Sequence, residues 1–222
     1  MEEMGAEGDG GEPVRVSVDS RSVEGDLTVP EGAAGVVLFA HGTGSSRHSP
    51  RNNFVARELR EARLATLLID LLTSEEKAVD RQTRRIRFDI ERLAGRVVEA
   101  VDWLRDEPET AELSVGLFGS STGAAAALIA AARRPEVARA VVSRGGRVDM
   151  AEGILDRVEA PSLFIVGKRD RQVLDLNRQA LAHLETEKKL EVVAGAGHLF
   201  EEPGALDEVA RLARDWFKRH LG

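Results

Sequence analysis

The chain has 222 residues, of which 42% are hydrophobic and 31% charged, with a net charge of −7 at pH 7 and no cysteine. This length and composition are typical of one globular domain with a single core. The acidic balance argues against a nucleic-acid partner, and the lack of cysteine excludes disulfides, thiolate metal sites and a cysteine nucleophile.

The first segment, residues 1–13, is acidic and rich in glycine. It lacks the basic and apolar regions of a signal peptide, so we expect a disordered tail before a single domain at residues 14–222. The longest apolar run, residues 123–132, is too short to span a membrane. We therefore expect a cytoplasmic protein without a membrane partner.

Apolar residues recur at spacings that predict strands and helices in alternation. The predicted strands are 14–18, 23–29, 35–40, 64–69, 113–118, 138–142, 161–166 and 190–193, and the predicted helices are 51–62, 81–105, 122–133, 174–184 and 205–221. We expect the first two strands to form an antiparallel hairpin and the others a doubly wound, mostly parallel α/β sheet. Exposed faces of the 81–105 and 205–221 helices offer a surface for a homodimer, although nothing in the sequence requires one.

A Gly-x-Ser-x-Gly turn lies between an apolar strand and an alanine-rich helix. Its glycines, Gly119 and Gly123, have no Cβ, so strand and helix can approach closely around Ser121. Ser121 then stands at the head of a helix, where negative charge on an oxygen is favoured. The pattern indicates a nucleophile, and the alternative is a serine that only caps the helix.

Two further residues complete a possible catalytic set. Asp170 and His198 each follow the end of a predicted strand, as Ser121 does, and such ends lie on one edge of a parallel sheet. The order Ser, Asp, His along the chain is that of α/β-hydrolases. His198 would take the proton of Ser121, and Asp170 would orient the imidazole and stabilise its cation. Asp70, which also ends a strand, and Asp149 are the rival acids.

The loop after strand 35–40 is a candidate oxyanion loop. Acyl transfer needs two backbone N–H donors, for which Thr122 and Thr43 are the candidates, and His41 would support the loop. A phosphate-binding loop is the alternative, but Arg47 stands at the third glycine position of that fingerprint and no Gly-Lys-Ser/Thr follows. No histidine pair has the spacing of a metal site, so we predict catalysis without metal or cofactor.

These residues make the chain resemble the α/β-hydrolase superfamily and, within it, the dienelactone-hydrolase-like proteins. The matching stretches are 39–52, 68–73, 87–90, 142–147 and 198–204. They are typical of a bacterial subgroup that is sometimes fused to a phosphoribosyltransferase domain, which we do not expect in this chain. Dienelactone hydrolase itself carries a cysteine nucleophile, whereas the serine here points to an ester or thioester as the substrate.

The segment before the strand that leads to Asp170 is short, and its length limits the size of any cap over the pocket. Residues 143–160 have room for one helical segment at 150–158 and for no large cap domain. We therefore expect an open, shallow pocket for small or flexible acyl groups. Its walls would come from the loop after His41 and from residues 71–75 and 144–147.

Three arginines follow predicted strand ends near this pocket: Arg47, Arg51 and Arg144. Their planar forks of donors suit a carboxylate or phosphate on the substrate, and His48 would line the mouth. The alternative is that they pair with acidic side chains and only pin loops. The candidate acids are Asp70, Glu75 and Asp89.

The sequence thus predicts a serine hydrolase of carboxylic esters or thioesters that acts through an acyl-enzyme and takes a small-molecule ester. Hydrolysis of a lactone, including dienelactone, or of a phosphotriester, and acyl transfer to an alcohol or amine, need the same nucleophile and remain alternatives. A catalytically silent hydrolase fold that binds a small ligand is the alternative of another class.

Overall fold

The computed structural model describes residues 11–18 and 21–222, which form an eight-stranded sheet with helices on both faces. The strands are β1 (Glu12–Val18), β2 (Arg21–Thr28), β3 (Gly35–Ala40), β4 (Leu64–Ile69), β5 (Ser114–Ser120), β6 (Ala138–Arg144), β7 (Ser162–Gly167) and β8 (Lys188–Val193). Their order is β1-β2-β4-β3-β5-β6-β7-β8. The first two strands form an antiparallel hairpin whose second strand pairs antiparallel with β4, and all other pairs are parallel. The predicted sheet is confirmed.

The predicted tail at residues 1–13 lies mostly outside the described part of the chain. Strand β1 begins at Glu12, two residues earlier than the alternation of apolar residues predicted, so it includes Pro13. Both residues are exposed, which is why the apolar pattern did not mark them.

Six α-helices occur in the described residues: α1 (Pro50–Glu61), α2 (Ser74–Thr83), α3 (Ile90–Asp106), α4 (Thr122–Arg133), α5 (Arg171–Leu181) and α6 (Ala205–Leu221). Helices α3 and α4 pack on one face of the sheet, and α1 and α6 pack on the other. Helix α6 lies directly on the central strands, because a Cβ at Gly116 would come within 2.7 Å of the Phe217 ring.

The prediction of one helix over residues 81–105 is wrong. Helix α2 ends at Thr83, and Arg84 follows in the left-handed conformation with φ 54°. A short 3-10 helix, Ile86–Phe88, comes next, and Asp89 caps α3 by accepting the N–H of Arg92. The apolar spacing continues across this break, so periodicity alone joined two helices that their caps separate.

Helix α2 begins seven residues before the helix predicted there, and a capping box explains its start. The Thr73 hydroxyl accepts the Glu76 N–H at 3.2 Å, and the Glu76 carboxylate accepts the Thr73 N–H at 2.9 Å. This reciprocal pair satisfies two backbone donors that a helix start otherwise leaves unpaired.

The order of the central strands opens a crevice at their carboxyl ends. After β3 the chain crosses to β4 on one side, and β5 then returns to the other side of β3. The loops after β3 and β5 therefore diverge from adjacent strands, and in open α/β sheets ligands bind at this kind of switch point. Ala40 and Gly119 are register partners, so the loop after Ala40 lies beside the turn after Gly119.

No large cap interrupts the segment between β6 and β7, as predicted. Its single helical segment is a 3-10 helix, Val148–Arg157, which begins two residues before the predicted 150–158 and packs on α4. Among the described residues, no helix combines the length and the hydropathy needed to cross a bilayer.

Candidate active site

The turn between β5 and α4 has the strained geometry that its sequence predicts. Ser121 has φ 51° and ψ −121°, a region that a side chain with Cβ rarely adopts. A Cβ at Gly119 would lie 2.3 Å from the Ala124 Cα, and one at Gly123 would lie 2.2 Å from the Ala40 carbonyl oxygen. Only glycine fits at either position, and the turn presents Ser121 at the end of the strand.

The Ser121 side chain does not serve as a helix cap. Ser121 occupies the N-cap position of α4, yet its hydroxyl makes no capping hydrogen bond. Its backbone N–H donates to the Arg144 carbonyl at 3.2 Å, and its own carbonyl accepts the Arg147 N–H at 3.0 Å. Backbone bonds therefore fix the turn and leave the hydroxyl available for chemistry.

Asp170 and His198 meet across two loops at the same edge of the sheet. The His198 Nδ1 lies 2.6 Å from the Asp170 Oδ2, a short hydrogen bond between two groups from neighbouring strands. Asp170 occupies the N-cap position of α5, but its side chain makes no capping hydrogen bond. Its carboxylate is therefore available to pair with the histidine. This bond leaves the His198 Nε2 as the free nitrogen, which is the arrangement a general base requires.

No hydrogen bond joins Ser121 to His198, both of which belong to the described part of the chain. Catalytic hydrogen bonds often tighten only when a substrate binds, so this geometry is compatible with a base–nucleophile pair. Gly145, directly after β6, links the two residues: a Cβ there would lie 3.5 Å from the His198 Nδ1. The imidazole therefore stands over the strand whose end holds Ser121 in place.

Glu202 holds the histidine loop, a role that the sequence analysis missed. Its Oε1 accepts the Gly197 N–H at 3.0 Å, directly before His198, and lies 3.8 Å from Arg169. Its backbone hydrogen bonds, with Gly197 among the donors, lower the pKa of Glu202, so the side chain is ionised at neutral pH. The run of two glutamates after the histidine was the one sequence signal for it.

The two rival acids have other partners. Asp70 accepts hydrogen bonds from Arg47 and lies 2.6 Å from the Lys77 ammonium. Burial alone would raise the pKa of Asp70, but these bonds outweigh it and hold the pKa below its ordinary value. Asp149 pairs with Arg147 through two contacts of 2.8 and 2.9 Å. Each of these carboxylates pins a loop.

His41 supports the candidate oxyanion loop and is not placed as a base. Its Nδ1 donates to the Gly42 carbonyl at 2.9 Å, and its Nε2 accepts the Leu71 N–H at 3.1 Å. Burial lowers the pKa of His41, which keeps the ring neutral and suits one donor and one acceptor nitrogen.

The two candidate oxyanion residues lie side by side. The Thr43 N–H donates to the Thr122 hydroxyl at 2.9 Å, and the two hydroxyls are 2.8 Å apart. As the first residue of α4, Thr122 has a backbone N–H without an intrahelical acceptor. A Cβ at Gly42 would lie 3.0 Å from the Ser121 Cβ, so the loop lies against Ser121. The Thr122 hydroxyl therefore accepts a hydrogen bond from the Thr43 N–H, one of the two N–H groups expected to hold the oxyanion.

The arginines near the site differ in their partners. Arg47 contacts three carboxylates, and its side chain is 16% exposed. The three acids are Glu24, Asp26 and Asp70. Arg51 lies 3.3 Å from Glu201. Arg144 is buried and has no ion pair or hydrogen bond from its side chain to any described residue. His48 is exposed at the surface.

A cavity of about 440 Å³ lies beside the candidate oxyanion loop, and its lining does not include Ser121, Asp170 or His198. The predicted walls from the loop after His41 and from Leu71 and Leu72 line it, whereas residues 144–147 do not. The side chains missed from sequence belong to α2 and the segment after it: Lys77, Asp80, Arg81 and Arg87. Asp80 and Arg87 pair at 2.5 Å and join α2 to the 3-10 helix.

Within residues 11–18 and 21–222, no three His, Asp or Glu side chains cluster as a metal site. The site described above instead consists of a serine, a histidine paired with a carboxylate, and backbone donors. Groups of these kinds are the ones that nucleophilic acyl transfer uses.

The family model of the dienelactone hydrolase family matches residues 24–221. The chain belongs to the dienelactone hydrolase family. The crystal structure of dienelactone hydrolase from Anabaena variabilis ATCC 29413 is 56% identical in sequence, with a TM-score of 0.94 over 95% of this chain and 98% of that one. Both the fold and the family support hydrolase activity for this dienelactone hydrolase family member.

More distant structures share the fold. Est1E from Butyrivibrio proteoclasticus is 14% identical, with a TM-score of 0.78 over 93% of this chain and 98% of that one. At this identity the likeness concerns the α/β-hydrolase architecture alone, with its mostly parallel sheet.

Two curated relatives from Mycobacterium tuberculosis strains are named putative phosphoribosyl transferases. Each is 55% identical over 210 residues, which is 95% of this chain but 46% of the relative. The chain therefore spans about half the length of these proteins.

Proposed function

We propose that this family member is a serine hydrolase of carboxylic esters or thioesters that acts through an acyl-enzyme on Ser121. The observation that carries the proposal is the strained Ser121 turn on the same sheet edge as the Asp170–His198 pair, at 2.6 Å. A binding protein has no need of a nucleophile in a strained conformation beside an oriented imidazole.

The proposed reaction has two halves. The Ser121 Oγ attacks the carbonyl carbon while its proton passes to the His198 Nε2, and the leaving alcohol or thiol takes that proton as the carbon–oxygen or carbon–sulfur bond breaks. Water then attacks the acyl-enzyme with His198 as base, and the acid leaves with Ser121 restored. Asp170 stabilises the imidazolium formed in each half.

The oxyanion would be held by the backbone N–H groups of Thr122 and Thr43. The Thr122 hydroxyl accepts the hydrogen bond of the Thr43 N–H. A substrate carbonyl oxygen must therefore displace that hydroxyl to reach both N–H groups.

The cavity of about 440 Å³ supports a small substrate. Its volume is near the lower end of the usual range for small-molecule sites, about 300–1,000 Å³. Leu71, Leu72 and Leu93 give it an apolar lining for an acyl or alcohol chain, and Thr43 and Gly44 connect it to the oxyanion loop.

Lactone or phosphotriester hydrolysis and acyl transfer would use the same nucleophile and stay alternatives within this mechanism. A silent fold that binds a ligand is the non-enzymatic alternative. The name of the M. tuberculosis relatives belongs to proteins of about twice the length, and the proposal for this chain rests on its own site.

The decisive experiment is labelling with a fluorophosphonate, read by intact mass, together with turnover of p-nitrophenyl acetate and butyrate. Wild type is compared with Ser121→Ala and with Ser120→Ala, the matched control one residue earlier in β5. We expect one adduct and turnover in wild type and in Ser120→Ala, and neither in Ser121→Ala. Equal background rates and no adduct in all three proteins would favour the binding-protein alternative.

A further inference from the structure

A buried asparagine, Asn177, contacts the loop that lies between Ser121 and His198. Asn177 belongs to α5 and is completely shielded from solvent. Its side-chain amide donates to the Gly146 carbonyl at 2.9 Å and to the Val173 carbonyl, one turn earlier in its own helix, at 2.7 Å. Both neighbours are acceptors, so only the NH₂ group of the amide can face them, and its orientation is fixed.

The asparagine is a costly residue at this position. Its Oδ1 is inaccessible to solvent and has no hydrogen-bond partner among the residues that the structure describes. A buried acceptor without a partner destabilises a fold, and an apolar side chain of similar size, such as leucine, avoids that cost. Packing alone therefore does not account for Asn177, and what the amide adds is its bond to the Gly146 carbonyl.

The loop that accepts this bond, residues 144–147, supports the Ser121 turn on both sides. The Ser121 N–H donates to the Arg144 carbonyl at 3.2 Å, and the Arg147 N–H donates to the Ser121 carbonyl at 3.0 Å. Gly146 lies between these two bonds in the chain. A movement of its carbonyl group therefore passes to the backbone of Ser121.

The same loop lies against the imidazole of His198. A Cβ at Gly145, which has φ 53°, would be 3.5 Å from both Cε1 and Nδ1 of the ring. Two successive glycines give this backbone a wide choice of conformations, so bonds from outside the loop must select one. The Ile165 carbonyl accepts the Gly145 N–H at 2.8 Å, and Asn177 holds the Gly146 carbonyl.

Asn177 is also connected to the acid of the proposed triad. Asp170 occupies the N-cap position of α5, and Asn177 follows about two turns later in the same helix. Asp170 in turn pairs with His198 at 2.6 Å. The helix that begins at the acid therefore also fixes the loop that supports Ser121.

We propose that Asn177 is a positioning residue for the hydrolysis proposed above. By holding the loop at residues 144–147, it keeps the Ser121 turn aligned with His198, so that the serine hydroxyl can approach the imidazole Nε2. This loop does not line the cavity of about 440 Å³, so the bond acts on proton transfer and not on binding of the substrate. The inference rests on the proposed function and adds a residue to its machinery.

The kinetic test is Asn177→Leu, which removes the amide and keeps the size of the side chain. We expect kcat for p-nitrophenyl butyrate to fall by about tenfold to hundredfold with KM unchanged, because a displacement of about 1 Å can cost a hundredfold in rate. The matched control is Thr110→Val, which removes another fully buried donor, 2.7 Å from the Leu104 carbonyl near the end of α3, and keeps kcat. Thermal unfolding shows that both variants are folded in the assay. A wild-type kcat in Asn177→Leu, or an equal loss in Thr110→Val, overturns the role.

A pH profile tests whether the donated hydrogen bond itself matters. In Asn177→Asp, a protonated carboxyl donates to the Gly146 carbonyl and an ionised one repels it, and burial raises the pKa of a carboxyl. We expect Asn177→Asp to be more active than Asn177→Leu at low pH, with the difference lost as pH rises. The titration of the base is common to both variants and cancels in the ratio of their kcat values. No recovery in Asn177→Asp at any pH overturns the proposal. If Asn177→Leu does not fold, Asn177→Ala, which loses the same bond without added volume, takes its place.

A measurement without substrate separates failure of this role from failure of the proposed function. The NMR signal of the His198 Cε1–H, assigned with His198→Gln, should shift in Asn177→Leu and stay in place in Thr110→Val, because Gly145 lies against that atom. A shifted signal in a protein whose wild type hydrolyses no ester supports the link from Asn177 to His198 and removes the hydrolase. Ester turnover with an unmoved signal and a wild-type kcat in Asn177→Leu leaves the hydrolase standing and removes the role of Asn177.

Discussion

Thr43 donates its backbone N–H to the hydroxyl of Thr122 at 2.9 Å, so the side chain of one proposed oxyanion residue accepts the N–H of the other. The loop after β3 is thereby tied to the start of α4, across 79 positions of the chain. In the proposed mechanism the same hydroxyl competes with the substrate oxygen for the Thr43 N–H. The contact would therefore weaken the proposed oxyanion hole.

Replacement of Thr122 by valine removes the competing hydroxyl and keeps the backbone donor. We expect the acylation rate with p-nitrophenyl acetate to rise by about fivefold, the value of one net hydrogen bond of about 1 kcal/mol. Stopped-flow measurement of the p-nitrophenol burst checks this. Thr122→Ser retains the hydroxyl and should show no gain. A slower burst in Thr122→Val would mean that the hydroxyl donates to the oxyanion.

Asp170→Asn tests the acid of the proposed triad. The amide keeps the shape of the side chain but neither stabilises the imidazolium nor maintains the tautomer, and kcat should fall by about 10⁴-fold. The measurement is kcat for p-nitrophenyl butyrate, with the thermal unfolding midpoint recorded to show that the fold is intact. Asp149→Asn, which breaks only the pair with Arg147, is the comparison. A larger loss in Asp149→Asn than in Asp170→Asn would reverse the assignment.

Asp70 is expected to stabilise the fold in a pH-dependent way. Its pKa is lowered in the folded state, so its contribution is complete above the unfolded pKa near 3.8 and disappears as pH falls through the folded value. At pH 7, Asp70→Asn should lower the free energy of unfolding by about 3 kcal/mol, because Arg47 and Lys77 keep their charges without the carboxylate that they contact.

Urea unfolding between pH 7 and pH 3 measures this contribution. The difference in the free energy of unfolding between wild type and Asp70→Asn should become smaller as the pH falls below about 4. Asp102→Asn, which removes a half-exposed partner of Arg134, is the matched control and should cost less than about 1 kcal/mol. A gap that stays constant with pH would refute the role assigned to Asp70.

Two glycine-to-alanine substitutions should act in opposite directions. A Cβ at Gly123 would meet the Ala40 carbonyl oxygen at 2.2 Å, so Gly123→Ala should destabilise the fold by about 1–3 kcal/mol and abolish turnover. Gly95 lies inside α3 with nothing within 4 Å of the added Cβ, and Gly95→Ala should stabilise by up to about 1 kcal/mol. The midpoint of thermal unfolding, measured for both variants and for wild type, tests the two expectations.

The sequence was enough for the sheet and for the placement of the candidate residues at its edge, because strand ends follow directly from apolar runs. The sequence was insufficient where contacts between residues far apart in the chain, or the caps of helices, determine the structure. The break at Arg84 depends on the Asp80–Arg87 pair and on the Asp89 cap, neither of which interrupts the apolar spacing.

Arg47 and Arg144 show the same limit at the candidate site. Both follow strand ends, and local sequence does not distinguish them. Only the fold brings three carboxylates to Arg47 and, among the residues that the structure describes, none to Arg144. Which charge is neutralised within the protein depends on contacts between residues far apart in the chain.

The seating of α6 on the central strands has a consequence during synthesis on the ribosome. The Ser121 turn emerges about eighty residues before His198, and Phe217, which packs against Gly116, emerges after both. A nascent chain carries the proposed nucleophile before it carries the proposed base and before the helix that covers the strand beneath it. A translation product cut short before His198 therefore lacks the proposed proton acceptor, and we expect it to be inactive.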